Sequence, residues 1–135
     1  MNTTDATERL LQLADRKDAD PSTPGVYALG IDLPATADAV ERQWHAVFDD
    51  QPDYMARLMD CHGCLYVGAA ANVQRRINEH LSSDKRKATL PSVFGIDRIH
   101  GVWWHDDKDA AFEAEYNRTR ELDRQTLPTT YVHSR

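Results

Sequence analysis

The spacing of apolar positions changes along the chain between helical and strand-like periods. Over residues 4–17, Leu10, Leu11 and Ala14 form one side of a helix that Thr4 or Asp5 is placed to cap. The loop DADPSTPG, with Pro21 and Pro24 as breakers, leads into GVYALGI at 25–31, a short strand. Val40, Trp44, Val47 and Phe48 then fall at i, i+4, i+7 and i+8 behind a Thr36 cap, which predicts a helix over 37–50 ended by Pro52. DYMARLM at 53–59 adds a short second helix. CLYVGA at 64–69 is a second strand, after which Asn72 caps a helix running to about Ser82. DRIHGVWWHD at 97–106, rich in β-branched and aromatic residues, is a third strand. Asp107 caps a long last helix to about Gln125, stopped by Pro128. The order α-β-α-β-α-β-α predicts an α/β or α+β domain around a small sheet.

Length and composition narrow the class. A chain of 135 residues suits one domain with a real core. It has no apolar run long enough to span a membrane. Its start, Met-Asn-Thr-Thr-Asp, lacks the form of a secretory signal, so a cytoplasmic location is the expectation. The net charge of −6 argues against coating nucleic acid through bulk charge. The charge is unevenly placed, however. Residues 72–91 hold Arg75, Arg76, Lys85, Arg86 and Lys87 against Glu79 and Asp84, a local net of +3 that leaves −9 for the rest. The two cysteines, in CHGC at 61–64, are too few ligands for zinc. They read first as small residues in a turn before a strand, and second as a redox or metal pair.

Helical spacing picks out particular side chains. After Asn72, Val73, Ile77 and Leu81 form the buried stripe, Arg75 falls opposite it, and Arg76 and His80 fall together at its edge. On the last helix Phe112, Tyr116 and Thr119 share a face. Glu115 lies between that cluster and the side carrying Ala111 and Leu122. A glutamate inside an apolar stripe is costly unless paired, so Glu115 calls for Arg76 or a divalent ion. If the first two strands are neighbours, the hydroxyls of Tyr27 and Tyr66 approach the start of the Asn72 helix, itself an anion site. Tyrosines, an arginine, a histidine and one acid suit phosphodiester hydrolysis. The arginine stabilises phosphate charge, the acid holds Mg²⁺ or Mn²⁺, and phenol or imidazole moves the proton of water.

GVY at 25–27, YVG at 66–68, Arg76 ten residues after Tyr66 and His80 four beyond resemble the GIY-YIG nuclease family. KDAAFEAEYNRTREL at 108–122 is similar to that family's metal-glutamate helix, in a register that puts the metal glutamate at Glu115. The resemblance spans roughly residues 24–32 and 64–122. It implies a three-stranded antiparallel sheet flanked by helices, and cleavage of DNA, ahead of RNA, with one Mg²⁺ or Mn²⁺. Tyr27 and Tyr66 would position and deprotonate the attacking water, with His80 assisting. Arg76 would bind the scissile phosphate and Glu115 the metal, and substrate contacts are expected at Gly68, Asn72, Lys85, Arg86 and Lys87.

The chain departs from the family in three places. Thirty-eight residues separate Tyr27 from Tyr66, so the first hairpin carries a helical insertion, 34–60. Ala69 stands where some relatives carry lysine and others a small residue, and the family's late asparagine has no evident counterpart. The implied organisation is an N-terminal helix and loop at 1–23, a nuclease domain at 24–127 and a C-terminal tail at 128–135. Two alternatives follow: a catalytically weakened nucleic-acid-binding module, or a protein-interaction domain. With no appended DNA-binding domain in this sequence, a protein partner is a candidate source of specificity.

Overall fold

The structure is a computed structural model and describes residues 1–82, 88–126 and 128–134. Strand β1 (Gly25–Ile31) is buried along its whole length. It is paired on both edges and covered on both faces, and the covered faces are why its sequence is a continuous apolar run rather than an alternating one. Strand β2 (Gly63–Ala70) lies antiparallel to it, with Gly25 opposite Ala70 and Tyr27 opposite Gly68. Strand β3 (Ile96–Trp104) pairs antiparallel on the other side, with Gly25 opposite Trp104. A fourth strand, β4 (Thr130–Ser134), runs parallel to β2 from Gly63↔Thr130 to Val67↔Ser134. The sheet order is β3-β1-β2-β4. The expectation of three antiparallel strands is therefore corrected: the sheet has four strands and is mixed, and the segment read as a tail supplies the extra one.

Six helices flank this sheet among the described residues. Helix α1 (Thr3–Arg16) is capped by Asn2, upstream of the expected cap, and buries Ala6, Leu10 and Ala14 while Leu11 stays exposed. Helices α2 (Ala37–His45) and α3 (Met55–Asp60) lie between β1 and β2 in sequence. The Thr36 cap on α2 is observed, but the helix stops five residues early. Val47 and Phe48 are exposed, Phe48 folds back on Trp44 with ring centroids 4.9 Å apart, and Trp44 Nε1–H donates to the Asp50 carbonyl at 2.7 Å. Helix α4 (Val73–Leu81) is capped by Asn72. Helix α5 (Thr89–Phe94), absent from the sequence reading, ends at Gly95, whose φ of 84° suits a residue without a Cβ. Helix α6 (Lys108–Gln125) is capped by Asp107 as expected.

Strand alternation divides the interior in two. Tyr27, Leu29 and Tyr66 point into a core shared with Leu10, Trp44 and Ile77. Val26, Ala28, Val67 and Ala69 point the other way, against Ala111 and Leu122 of α6. No helix of the described residues is long and apolar enough to cross a membrane.

Candidate active site

Among the described residues β4 pairs with β2 as far as Val67, and β2 itself continues to Ala70. There the sequence places Gly68 and three alanines, and the small side chains leave room. An open cleft of about 300 Å³ forms, lined by Ala69, Ala70 and Ala71 of the β2 end, Asn72 and Arg76 from the start of α4, and Phe112 from α6. The Asn72 side chain accepts from Arg75 N–H at 3.0 Å and so fixes where α4 begins.

The wheel reading of the two arginines holds. The Arg75 side chain is 73% exposed and that of Arg76 only 28%. Both reach Glu79, at 3.5 Å from Arg75 Nε and 2.8 Å from Arg76 Nη1. The sequence reading missed Glu79 as a partner, although its spacing of three and four from the two arginines is the ordinary helical ion-pair spacing. Partial burial pulls the Arg76 pKa down. The Glu79 hydrogen bond and the neighbouring Tyr27 hydroxyl outweigh that and hold the guanidinium above its ordinary value.

Behind Arg76 lie Tyr27, Tyr66 and His80, all 1–2% exposed. His80, expected at the rim of its helix, is thus buried. Its Nε2 lies 2.8 Å from the Tyr27 hydroxyl, and its ring meets that of Tyr66 edge-on at 5.6 Å. Ala88 N–H approaches Nδ1 at 3.4 Å. A backbone N–H can only donate, so a tautomer with its proton on Nε2 and the Tyr27 oxygen as acceptor is the one compatible with this contact. Gly68 sits directly under the same hydroxyl: a Cβ there would lie 2.5 Å from Tyr27 Oη and 2.6 Å from Cζ.

Glu115 is half-buried on α6, one turn beyond Phe112. The face expected to bury Phe112 and Tyr116 is instead exposed, at 40% and 66%. Ala111 and Leu122 make the buried side, so Glu115 stands at the boundary between interior and solvent. Lys85, Arg86 and Lys87 lie outside the described residues.

Among the described residues no group of three or more His, Cys, Asp and Glu is placed to hold a metal. A single carboxylate fits a hard ion that keeps most of its waters and shares a substrate phosphate, as Mg²⁺ does, and does not fit a protein-caged ion. Burial pushes both thiols up, Cys64 to about 12, which disfavours the thiolate that metal or redox chemistry requires.

The sequence reading also missed His133. It stands opposite Tyr66 in the β2–β4 register, with its ring stacked on Tyr66 at 6.2 Å and its Nδ1 at 2.7 Å from the Tyr131 hydroxyl. Nothing local marks this residue, because its place depends on a strand pairing more than sixty residues long-range.

A family model described as the GIY-YIG catalytic domain matches residues 55–126, more than half of the chain. The matched span holds Tyr66, Arg76, His80 and Glu115, and begins downstream of Tyr27. Neither a curated protein nor a solved structure matches.

Proposed function

Because the chain belongs to the GIY-YIG family, we propose that it is a metal-dependent endonuclease hydrolysing nucleic-acid phosphodiester bonds, DNA ahead of RNA. The observation that carries this reading is the Tyr27 hydroxyl, which contacts both His80 and Arg76 beside an open cleft. Arg76 is the cleft-lining member. It binds the scissile phosphate by exchanging its Glu79 contact for phosphate oxygens, a stronger site for a guanidinium fork. The expected anion site at the start of α4 is corrected: its first-turn N–H groups already donate to Thr23, Pro21 and Asn72, so the phosphate contact falls to the Arg76 side chain. Arg76 and His80 lower the cost of ionising Tyr27; the phenol gives up its own proton to solvent, and the phenolate then takes the proton of the attacking water. Tyr66 packs the imidazole in place. Glu115 would hold Mg²⁺ or Mn²⁺, which when bound neutralises charge on the phosphate and leaving oxygen.

Cleavage of plasmid and branched DNA with Mg²⁺ or Mn²⁺ tests the reading. Arg76→Ala and Glu115→Ala are each expected to reduce the rate by about a hundredfold or more. Equal rates in wild type and both variants would sink it. One observation favours a second reading, a nucleic-acid-binding module with weakened chemistry. Tyr27, Tyr66 and His80 are almost fully buried, and none of them lines the cleft. Binding with no turnover in either metal would select that alternative.

A further inference from the structure

The exposed aromatic face of α6 starts at the cleft and leads away from it. Phe112 lines the cleft together with Arg76. Tyr116, one turn on, is 66% exposed, the most solvent-accessible large apolar side chain described. Arg120, a further turn on, holds its guanidinium 5.7 Å from the Tyr116 ring. Arg120 also lines a second cleft of about 420 Å³, beside the outer edge of β4, that includes Arg57. From Phe112 to Arg120 the helix rises about 12 Å. Residues at i, i+4 and i+8 step around the helix by about 40° each turn, so the three side chains form a slanting ladder joining the two clefts.

Burial does not explain this ladder, because the interior side of α6 is carried by Ala111 and Leu122. We infer that α6 carries a base-stacking track for a short unpaired stretch of nucleic acid, running from Arg76 past Phe112 and Tyr116 to Arg120. Flat rings on a solvent face bind unpaired bases, whose π-faces are open, and not a closed duplex, whose bases are already stacked. The second cleft mixes Arg57 and Arg120 with Asp60 and Asp123, so its net charge is near zero and stacking outweighs charge there. The inference rests on the nucleic-acid reading above and adds a substrate class to it: a strand with an unpaired segment next to the scissile bond.

The test is anisotropy of the full chain with fluorescent single-stranded and blunt-duplex oligonucleotides in EDTA, alongside cleavage of the same substrates with Mg²⁺. Tyr116→Ala is expected to weaken single-strand binding about five- to tenfold and duplex binding by less, while Tyr116→Phe keeps wild-type affinity. Tyr116→Leu, apolar without a ring face, should follow Tyr116→Ala. The change in affinity should be similar at low and high salt, as stacking requires and ion pairing does not. Single-strand affinity unchanged in Tyr116→Ala would overturn the track and assign the aromatic face to a protein partner. Equal loss for duplex and single strand would overturn it too. Tyr116-dependent binding without turnover leaves the track standing and removes the nuclease reading. Cleavage that is indifferent to Tyr116 does the reverse.

Discussion

The Tyr27 hydroxyl is crowded from three directions, which makes its position easy to disturb. His80 Nε2 lies 2.8 Å from it, Arg76 stands beside it, and Gly68 leaves no room beneath it. Gly68→Ala therefore tests the site without removing any polar group. Its new methyl would meet the ring and oxygen of a side chain that is itself 1% exposed and has nowhere to move. Overpacking of this kind costs about 1–3 kcal/mol. The expected outcome is a melting temperature lower by several degrees together with loss of cleavage, read by calorimetry and by plasmid nicking. An unchanged melting temperature would mean that Tyr27 has freedom the packing does not suggest. Gly30→Ala, on β1 and facing Asp97 and Arg98, tests the clash differently: it meets mostly flexible side chains and should be milder.

Among the elements, those with a local signal were legible in the sequence. Thr36, Asn72 and Asp107 all cap the helices they were expected to cap, each accepting a backbone N–H. β1 has the bounds its apolar run predicts. Misreadings occur where the deciding contact is distant or the spacing is ambiguous. Phe112 and Tyr116 have helical spacing that fits an apolar stripe, but the sheet accepts the small side, Ala111, because Val67 and Ala69 leave shallow relief there. β4 carries no turn or long alternation of its own and exists through pairing with β2. That strand nonetheless brings His133 against Tyr66, and its chemistry gives a pH prediction. Burial, with Arg57 adding to it, lowers the His133 pKa below 6.5. The neutral ring is thus favoured in the folded state, and the unfolded chain binds the extra proton. Its contribution to stability is present above pH about 6.5 and is lost as pH falls toward the lower folded value. Thermal melts between about pH 7 and 5 should show a steeper decline for wild type than for His133→Phe, which keeps a ring on Tyr66 but has no proton to gain. Parallel curves for the two proteins would separate β4 from the acid response.

At the scale of the whole molecule, the decisive property is where the charge sits. A body of net −9 repels a polyanion, so nucleic acid should approach by the one segment of net +3, residues 72–91, which borders the cleft through Asn72 and Arg76. The number of cations there bounds the salt response. Neutralising Z phosphates on a duplex gives a slope of about −0.9Z in log affinity against log salt. Five cations, if each meets a phosphate, give about −4.5 and no steeper. Triple substitution of Lys85, Arg86 and Lys87 by Gln should make the slope shallower by about 2.7 and weaken duplex binding at low salt, while leaving the Tyr116 effect on single strands in place. A slope much steeper than −4.5, or one insensitive to the triple substitution, would direct attention to cations on another face, with Arg57 and Arg120 the first to replace. The same body charge also sets a working condition. Because screening relieves the repulsion while stacking on α6 is insensitive to salt, affinity for a substrate with an unpaired segment should fall off more gently with salt than affinity for a blunt duplex. The acidic surface would then act as a filter for branched or frayed nucleic acid, and the ratio of the two affinities measured across a salt series is the quantity that decides it.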